Sequence, residues 1–524
     1  LLVLDSRDLA DPAIIDSVRK IEKLGQEQYD IYVGERLVNQ TKSVWEPIKK
    51  NNLVLFSRPP IRKKTKSQLQ LASLKNDCSL FSRLYVASQV RNGNLDEFFE
   101  HENQAYPPPL SLNAKLRTST KSDLVSCLEE LVNYHENATR PSVEVIILDG
   151  SVIVNMLRPG SAKTFSDYAS QVFFPYVASQ LQQASRIDIV WDEYRPDSLK
   201  AETRVKRGKG VRRRVEASTP IPGNRQEFLR THENKVELFS FLANRVPCIE
   251  TEKQVLSTIQ SDIVCTQSRN DAVTEGFNKI FIRTVDTDVV VLAVAAAQHH
   301  RNTEIWIAFG TGKSFRFLAA YEMARVLGPD RCTALPIFHA FTGCDTVSFF
   351  GGRGKRTAWD TWRSYNGIRS IFVSLANTPE SVESSVASLE RFVILLYDRT
   401  SSLEDINQAR KHLFAQKGRS IENIPPSKAA LVQHIKRAVY QAGYCWAQAT
   451  TSSPDLPCPS EWGWKRKEPC SWGANWTSLP EATVACRELL RCGCKKGCKK
   501  NCRCSKAALQ CTALCQCGGQ CTES

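Results

Sequence analysis

The sequence lacks any run of 18 or more apolar residues, and this absence excludes a helix that spans a membrane. We expect residues 1–15 to be no signal peptide, because acidic residues interrupt their short apolar start. We therefore expect an intracellular protein whose cysteines stay reduced. With 42% hydrophobic and 24% charged residues, the composition is that of a folded chain and not of a disordered one.

Acidic residues are the minority charge, because 55 Asp and Glu stand against 70 Lys and Arg and leave a net charge of +15. Such an excess favours a polyanionic partner, and we expect nucleic acid, DNA more than RNA, with the nucleus as the location. A basic soluble protein without such a partner is the alternative. The sequence indicates no membrane partner and identifies no protein partner.

The 524 residues divide by composition into five segments. We predict a mainly helical N-terminal region without an assigned role, an α/β domain, a helical extension, a tryptophan-containing linker and a cysteine-rich tail. In that order they cover residues 1–135, 141–365, 366–450, 451–485 and 486–521.

Short apolar runs define the α/β segment. Three of them end at Asp149, Asp192 and Asp286, a fourth covers residues 304–309, and a fifth extends from residue 332 to Asp345. Strands of nearly continuous hydrophobicity that alternate with helices are typical of a sheet buried on both faces. The sequence therefore predicts an α/β fold with a doubly wound parallel sheet.

The cysteines are unevenly spread, because ten of the 19 follow residue 485. Nine of them keep the spacing C-x-C-x3-C-x3-C-x-C-x6-C-x3-C-x-C-x3-C, namely Cys492, Cys494, Cys498, Cys502, Cys504, Cys511, Cys515, Cys517 and Cys521. Three Zn²⁺ ions need about twelve thiolate contacts, which nine cysteines supply if three sulfurs each bridge two ions. Disulfides between residues i and i+2 would be strained. We predict about three structural zinc ions; a disulfide knot or metal-free reduced cysteines are the alternatives.

This spacing resembles the CXC domain of tesmin-type DNA-binding proteins, which is also seen in chromatin regulators. The resemblance covers about thirty residues and implies a zinc domain that binds DNA. CXC domains that read the minor groove carry a tyrosine before the fourth cysteine, where this chain has Asn501. We therefore expect the tail to hold phosphates without reading sequence, and a solvated basic surface is the alternative. The candidate phosphate ligands are Lys495, Lys496, Lys499, Lys500 and Arg503.

Five aspartates lie at or just beyond the ends of the apolar runs: Asp149, Asp192, Asp286, Asp288 and Asp345. The carboxyl ends of parallel strands meet at one edge of a sheet, so these side chains should converge. Converging carboxylates repel one another unless divalent cations neutralise them. Two Mg²⁺ or Mn²⁺ ions there would hold a phosphodiester and activate water. Taken singly, an aspartate after a strand is more often a turn residue or a helix N-cap.

The order of these motifs resembles the flap-endonuclease branch of the PIN-like nucleases, over about residues 143 to 362. The matching segments are IILDGSVIVNML, IVWDEYRPDSLKAETRVKR, TVDTDVVVLA and TGCDTVSFFGGRGKRTAW. The resemblance implies that the five aspartates hold catalytic metals. It also implies that the hairpin formed by Gly352, Arg353 and Gly354 cradles a duplex phosphate, with Lys355 beside it.

A basic run occupies the position of the arch that covers single-stranded substrate in flap-type enzymes. It comprises Arg204, Lys206, Arg207, Lys209, Arg212, Arg213 and Arg214. A solvated loop or a nuclear import signal is the alternative.

The chain departs from the nuclease family just before the Asp286 strand. Flap-type nucleases place two more acids on a helix there, and uncharacterised animal proteins that resemble nearly the whole chain keep an acidic segment. Here Cys265 leads through residues 266–270 to Asp271 and Glu275. Three hypotheses stay open: a metal-dependent nuclease anchored by a zinc tail, an inactive nuclease fold that binds DNA or chromatin, and a truncated or mis-spliced copy of an active relative.

Overall fold

The computed structural model describes a defined part of the chain: residues 12–48, 91, 94–102, 106–112, 114–118, 120–132, 140–192, 199, 210–259, 262–265, 276–416, 423–449, 451, 454–467, 471–480, 491–494, 498 and 502–519. The chain divides into two compact units, Leu1–Ala72 and Ser73–Ser524. Among the described residues, no helix combines the length and the apolar character needed to cross a membrane.

The first unit contains a long helix, α1 (Pro12–Tyr32), which continues into a π-helical segment at Val33–Val38. Lys20 pairs with Asp16 at 2.8 Å, as residues four apart on a helix surface do. Beyond the helix, buried Arg36 donates to the carbonyl oxygens of Ser43 and Val44. These bonds fold residues 43 and 44 back onto the end of the π-helical segment.

The second unit is built on a large sheet and two short hairpins. In chain order the strands are β1 (Ser111–Leu112), β2 (Lys115–Leu116), β3 (Val145–Asp149), β4 (Arg186–Val190), β5 (Gln254–Ile259), β6 (Asp262–Cys265), β7 (Lys279–Thr284), β8 (Glu304–Phe309), β9 (Arg316–Ala319), β10 (Trp464–Lys467) and β11 (Ser471–Ala474). Within the described residues, the large sheet has seven strands in the order β6-β5-β4-β3-β7-β8-β9. β6 and β9 are antiparallel to their neighbours and the other pairings are parallel.

Helices surround this sheet and extend beyond it. They are α2 (Leu95–Glu100), α3 (Asp123–Glu129), α4 (Gly150–Met156), α5 (Phe165–Tyr168), α6 (Phe174–Leu181), α7 (Arg225–Phe228), α8 (His232–Arg245), α9 (Thr287–Ala297), α10 (Ala320–Leu327), α11 (Pro329–Phe341), α12 (Lys355–Ser364), α13 (Ile368–Asn377), α14 (Val382–Tyr397), α15 (Ile406–Ala415), α16 (Lys428–Val439) and α17 (Arg503–Lys506). π-Helical segments at Ala169–Phe173 and Tyr440–Trp446 join or extend these helices.

Both faces of the sheet are covered, as the apolar runs predict. Ile307 and Ala308 are consecutive in β8 and fully buried, yet they belong to two different hydrophobic cores. Successive side chains of a strand point to opposite faces, so the two cores lie on opposite sides of the sheet. The prediction of a mixed α/β fold around a mostly parallel sheet is confirmed.

One predicted strand is wrong. The apolar run that leads to Asp345 forms α11, which begins with Pro329 after a glycine of positive φ, Gly328 (φ 76°). Buried residues cover the whole circumference of this helix, because it packs against α9, α13 and α16. A helix with apolar residues on all sides shows no 3.6-residue alternation of apolar and polar residues. Its sequence therefore cannot be distinguished from that of a buried strand.

The segment around residues 94–132 belongs to the second unit, although the sequence places it in the N-terminal region 1–135. Its residues Phe98, Phe99 and Leu124 lie in the same hydrophobic core as α14 and α16. A buried ion pair also joins it to the C-terminal helices, since Arg410 of α15 contacts Glu102 at 3.4 Å. Glu102 in turn accepts a hydrogen bond from the backbone N–H of Ser427 at 2.6 Å.

The tryptophan-containing segment predicted as a linker is folded onto this unit. Trp462 and Trp476 lie in the main core, and Trp464 of β10 is buried. Arg437 of α16 donates to the carbonyl oxygen of Gly463 at 3.0 Å, which fixes the chain at the start of the β10–β11 hairpin. The described part of residues 451–485 is therefore a packed element.

Replacing Glu102 by alanine is expected to lower the free energy of unfolding by about 3–5 kcal/mol, because Arg410 would keep its buried charge without a carboxylate partner. Urea unfolding of the full chain measures the change. Glu100→Ala is the matched control, since Glu100 is exposed at the end of α2, two residues before Glu102, and its replacement should shift stability by less than about 0.5 kcal/mol. Equal effects of the two substitutions would contradict the burial of residues 94–102 in the main core.

Candidate functional site

Two of the predicted aspartates end neighbouring strands of the sheet. Asp149 is the last residue of β3 and Asp286 follows β7, and the two strands are adjacent and parallel. Each carboxylate caps the helix that follows: Asp149 Oδ1 accepts from the N–H of Val152 and Asp286 Oδ1 from the N–H of Asp288, both at 3.0 Å. Asp149 and Asp286 are therefore helix N-caps and, at the same time, lie together at one edge of the sheet.

Thr284, which the sequence did not single out, links these two positions. Its Oγ1 donates to Asp149 Oδ2 at 3.4 Å and accepts from the backbone N–H of Asp286 at 3.1 Å. The hydroxyl therefore fixes the distance between the two strand ends.

Three carboxylates form a compact group that we name the aspartate triad: Asp286, Asp288 and Asp345. One oxygen from each lies within 4.8 Å of the others, a separation at which a single metal ion could contact all three. Burial and the neighbouring carboxylate of Asp288 raise the pKa of Asp286. The side chain of Asp288 is 7% exposed, whereas those of Asp286 and Asp345 are 37% and 42% exposed, so the group opens to solvent on one side.

Asp345 reaches the triad from a loop and not from a strand end. The loop leaves α11 at Gly343, whose φ of +111° is a conformation that residues with a Cβ rarely adopt. A Cβ at that position would also lie 2.6 Å from the Cβ of Phe349. The Gly-Cys-Asp motif is thus required by the sharp turn that returns Asp345 to the sheet edge.

The other two predicted aspartates lie beside the triad. Burial raises the pKa of Asp149, and the negative charge of Asp192, which follows the neighbouring strand β4, adds to that rise. Asp192 is exposed. The structure therefore brings three of the five aspartates into one group, joins Asp149 to it through Thr284, and does not include Asp192 in that group.

A lysine that the sequence did not indicate lies at the centre of the triad. The Lys121 ammonium is 3.3, 3.1 and 2.7 Å from the Oδ1 atoms of Asp286, Asp288 and Asp345. Burial alone would lower the pKa of Lys121, but the three carboxylates together raise it above its usual value. Lys121 precedes α3, in a stretch whose composition carries no sign of a site, and it meets the triad only through tertiary folding.

His339 supports the triad from the protein interior. It is fully buried on α11, and its Nε2 lies 2.9 Å from Asp288 Oδ1. Burial and the charge of Lys355 lower the pKa of His339 to about 4 in spite of Asp288. The ring is therefore neutral at pH 7, and its Nε2–H donates to the carboxylate. Its plane also stacks on Trp446 with ring centroids 5.7 Å apart, which fixes its orientation.

The predicted phosphate cradle is not formed as expected. Lys355 is buried, and its ammonium donates to the carbonyl oxygen of His339 at 2.6 Å and to Thr342 Oγ1 at 2.8 Å. The N–H of Arg353 is used within the turn, where it donates to the carbonyl oxygen of Phe350 at 2.9 Å. Lys355 therefore stabilises the end of α11 and cannot face a nucleic acid. Gly352 and Gly354 flank the turn that begins α12.

Only part of the predicted basic run is described. Arg204, Lys206, Arg207 and Lys209 lie outside the described residues, as do Asp271 and Glu275. Arg212 donates to Asn234 Oδ1 at 3.1 Å and pairs with Glu237, which fixes it against α8. Arg213 and Arg214 are exposed, and Arg214 also lies 3.3 Å from Glu216.

The described cysteines of the tail form two overlapping groups of four. One comprises Cys492, Cys498, Cys502 and Cys511, and the other Cys492, Cys511, Cys515 and Cys517. Cys492 Sγ lies 3.5, 3.8 and 3.6 Å from the sulfurs of Cys498, Cys511 and Cys517. Zn–S bonds of about 2.3 Å in a tetrahedral site would place sulfurs about 3.8 Å apart. The spacing suits zinc and is far longer than a disulfide bond of about 2.0 Å.

Sharing of sulfurs is the feature that the ligand count predicts. Cys492 and Cys511 belong to both groups, as sulfurs that bridge two ions would. The sulfurs of Cys504 and Cys515 also lie close together, at 3.6 Å. Cys521 lies outside the described residues. Backbone N–H groups at the start of α17 lower the pKa of Cys502 to about 6, so its thiolate is favoured before any metal binds. The cluster could therefore hold zinc.

Of the basic residues predicted to hold phosphates, Arg503 is exposed on α17, next to the cysteines. Lys495, Lys496, Lys499 and Lys500, together with Asn501, lie outside the described residues.

Comparison of the chain with protein-family models and with curated proteins found no match. The resemblances to CXC domains and to flap endonucleases therefore depend on the motifs alone. The geometry of the two clusters carries the functional assignment.

His339→Phe is expected to weaken Mn²⁺ binding by roughly tenfold to a hundredfold, because Asp288 would lose the hydrogen bond that orients it. Isothermal titration of the zinc-loaded protein measures the affinity. His434→Phe is the matched control, since His434 is equally buried on α16 but bonds the carbonyl oxygen of Phe341 and not the triad. Unchanged affinity in His339→Phe would show that the histidine does not position Asp288.

Metal analysis of the purified chain should find about three zinc ions, as the shared-thiolate count requires. Cys492→Ser is expected to lose zinc from both four-cysteine groups, because its sulfur belongs to each. Cys248→Ser changes an exposed cysteine outside the tail and should retain the full content. One zinc or none in the unaltered chain would refute the cluster.

Proposed function

We propose that the protein is a nucleic-acid-binding, divalent-metal-dependent nuclease whose α/β body is of PIN and flap-endonuclease type. The observation that carries this proposal is the aspartate triad at the carboxyl edge of a mostly parallel sheet, the edge at which open α/β sheets bind ligands. The oxygens of the triad are the ligand type that Mg²⁺ and Mn²⁺ prefer.

The residues around the triad have distinct parts in this proposal. Asp288 is the anchor, because it is buried and held by His339. Asp286 and Asp345 are more exposed, so they would bind the metal on the side of the group that is open to substrate. Asp149, held by Thr284, together with Asp192 would serve a second ion beside the first. When bound, Mg²⁺ or Mn²⁺ would activate water and stabilise charge on a phosphodiester.

The cysteine cluster and the net charge of +15 support nucleic acid as the partner. We propose that the tail is a CXC-type domain with about three zinc ions that holds DNA through phosphate contacts. Exposed Arg503 of α17 and exposed Arg213 lie on the described surface that would contribute to this binding. A DNA-binding protein with this tail would act in the nucleus.

A second candidate function is an inactive nuclease fold that binds DNA or chromatin. The observation that favours it is Lys121, whose ammonium contacts all three carboxylates of the triad. A positive side chain in that position satisfies the charge of the triad without a metal. The sequence also lacks the acidic segment that flap-type nucleases carry before the Asp286 strand.

Cleavage assays with Mn²⁺ and with Mg²⁺ separate the two candidates. The zinc-loaded chain is incubated with single-stranded, flap and duplex DNA and RNA, and we expect cleavage of at least one substrate. Replacing both Asp286 and Asp288 by asparagine should reduce it to background, because the metal would lose two charged ligands. Lys279→Met is the control, since Lys279 pairs with Glu304 at the opposite end of the same sheet.

Cleavage that survives the double substitution would show a contaminating nuclease and refute the assignment. Binding of DNA without cleavage, in both metals and on every substrate, would establish the inactive alternative.

A further inference from the structure

The proposed nuclease function assigns no role to Lys121, whose ammonium lies among the three carboxylates of the triad. We infer that Lys121 is a built-in counter-cation of the aspartate triad, and that a divalent ion must displace its ammonium group in order to bind. This inference rests on the proposed metal site but not on nucleic-acid cleavage.

The first support is that the Lys121 ammonium contacts the carboxylate oxygens that a metal ion would use. The ammonium lies 2.7 to 3.3 Å from the Oδ1 atoms of the triad, one from each aspartate. A metal held by the triad would use oxygens of this same group, at about 2.0–2.2 Å for Mg²⁺ or Mn²⁺. Two cations at hydrogen-bonding and coordination distance from the same oxygens would nearly touch. The ammonium and the metal therefore exclude each other.

The second support is the charge balance of the triad without metal. Three carboxylates within 4.8 Å repel one another, and Asp288 is largely removed from water. His339 contacts Asp288 through a single hydrogen bond of its Nε2. Lys355, a buried cation nearby, directs its ammonium to His339 O and Thr342 Oγ1, and the guanidinium of buried Arg283 is bonded to the carbonyl oxygens of Thr284 and Ala308. Lys121 therefore supplies the positive charge that holds the triad together.

The third support is that Lys121 can leave while its backbone stays in place. The adjacent helix α3 is fixed by buried Leu124 and Leu128 and by an ion pair between Glu129 and Arg316. The lysine side chain, in contrast, is 22% exposed and lies beside Asp345, which is 42% exposed. Four flexible methylene groups allow the ammonium to swing into water. Displacement thus requires a rotamer change and no unfolding.

Competition of this kind sets the metal concentration at which the site fills. Binding of a metal breaks the ion pairs of Lys121 with the triad, which costs free energy. The observed affinity for the metal is therefore lower than the triad would have without Lys121. The site remains folded at low metal concentration and takes up an ion only when enough is present.

Titration of Mn²⁺ into the zinc-loaded full chain tests this inference. Lys121→Met keeps the length of the side chain and removes its charge, and we expect it to bind Mn²⁺ roughly tenfold more tightly than the unaltered protein. In zinc-loaded samples to which no Mn²⁺ has been added, Lys121→Met should melt at a lower temperature than the unaltered protein, and added Mn²⁺ should remove this difference. Lys121→Arg keeps the charge and should bind no more tightly. Lys279→Met removes a surface charge at the far end of the sheet and should change nothing.

A second measurement uses the unaltered chain and does not depend on the folding of a variant. Acetylation of Lys121, followed by mass spectrometry, should become faster as Mn²⁺ fills the site, because the displaced ammonium enters solvent. Lys279 provides the internal reference.

The outcomes separate this inference from the proposed function. Equal Mn²⁺ affinity in Lys121→Met and the unaltered chain, or constant acetylation of Lys121 across the titration, overturns the inference and leaves the metal site standing. Failure of both proteins to bind Mn²⁺ overturns the inference and the proposed metal site together. Tighter binding in Lys121→Met without cleavage of any substrate supports the inference while the nuclease assignment fails.

Discussion

The repulsion between carboxylates at the edge of the sheet is the constraint on which the centre of this protein depends. Parallel pairing of β3 with β7 brings Asp149 and Asp286 to one edge, and the turn at Gly343 adds Asp345. Like charges at this distance repel one another, and a cation among them or a retained proton relieves the repulsion. Lys121 and His339 are the two side chains by which the fold meets that requirement, one by charge and the other by orienting Asp288.

The cysteine cluster meets the same problem in another way. Its thiols approach to 3.4–3.8 Å, and the guanidinium of Arg91 donates to Cys504 Sγ at 3.5 Å. Backbone N–H groups of α17 favour the thiolate of Cys502, whereas burial raises the pKa of Cys504 and Cys511, so bound metal would be needed to stabilise these two as thiolates. The aspartate centre thus has a cation supplied by the chain itself, whereas we expect the cysteine centre to depend on bound metal for its fold.

The strand ends could be predicted from sequence because buried parallel strands are short, apolar and followed by polar residues, as at Asp149 and Asp286. The helix before Asp345 could not, since burial on all sides removes the helical period and leaves an apolar run. Lys121 and Lys355 show a different limit. Both are lysines near a predicted site, and only tertiary contacts decide that the first meets the triad while the second is buried behind it. The prediction that Lys355 lies beside a phosphate comes from its place in a motif that resembles the nuclease family. A motif shows where a residue lies along the chain but not whether its side chain is exposed.

The contacts that complete the triad join distant parts of the chain, since Lys121 is 165 residues from Asp286 and 167 from Asp288. Closing such long loops is slow and comes late in folding. During synthesis, Lys121 leaves the ribosome long before the loop that carries Asp345, so no partial chain can assemble the site. The cysteines, in contrast, follow one another within thirty residues and can gather metal locally. The order of synthesis therefore delays the carboxylate centre until the loop of Asp345 has been made, whereas metal binding by the cysteines would need only a short segment of chain.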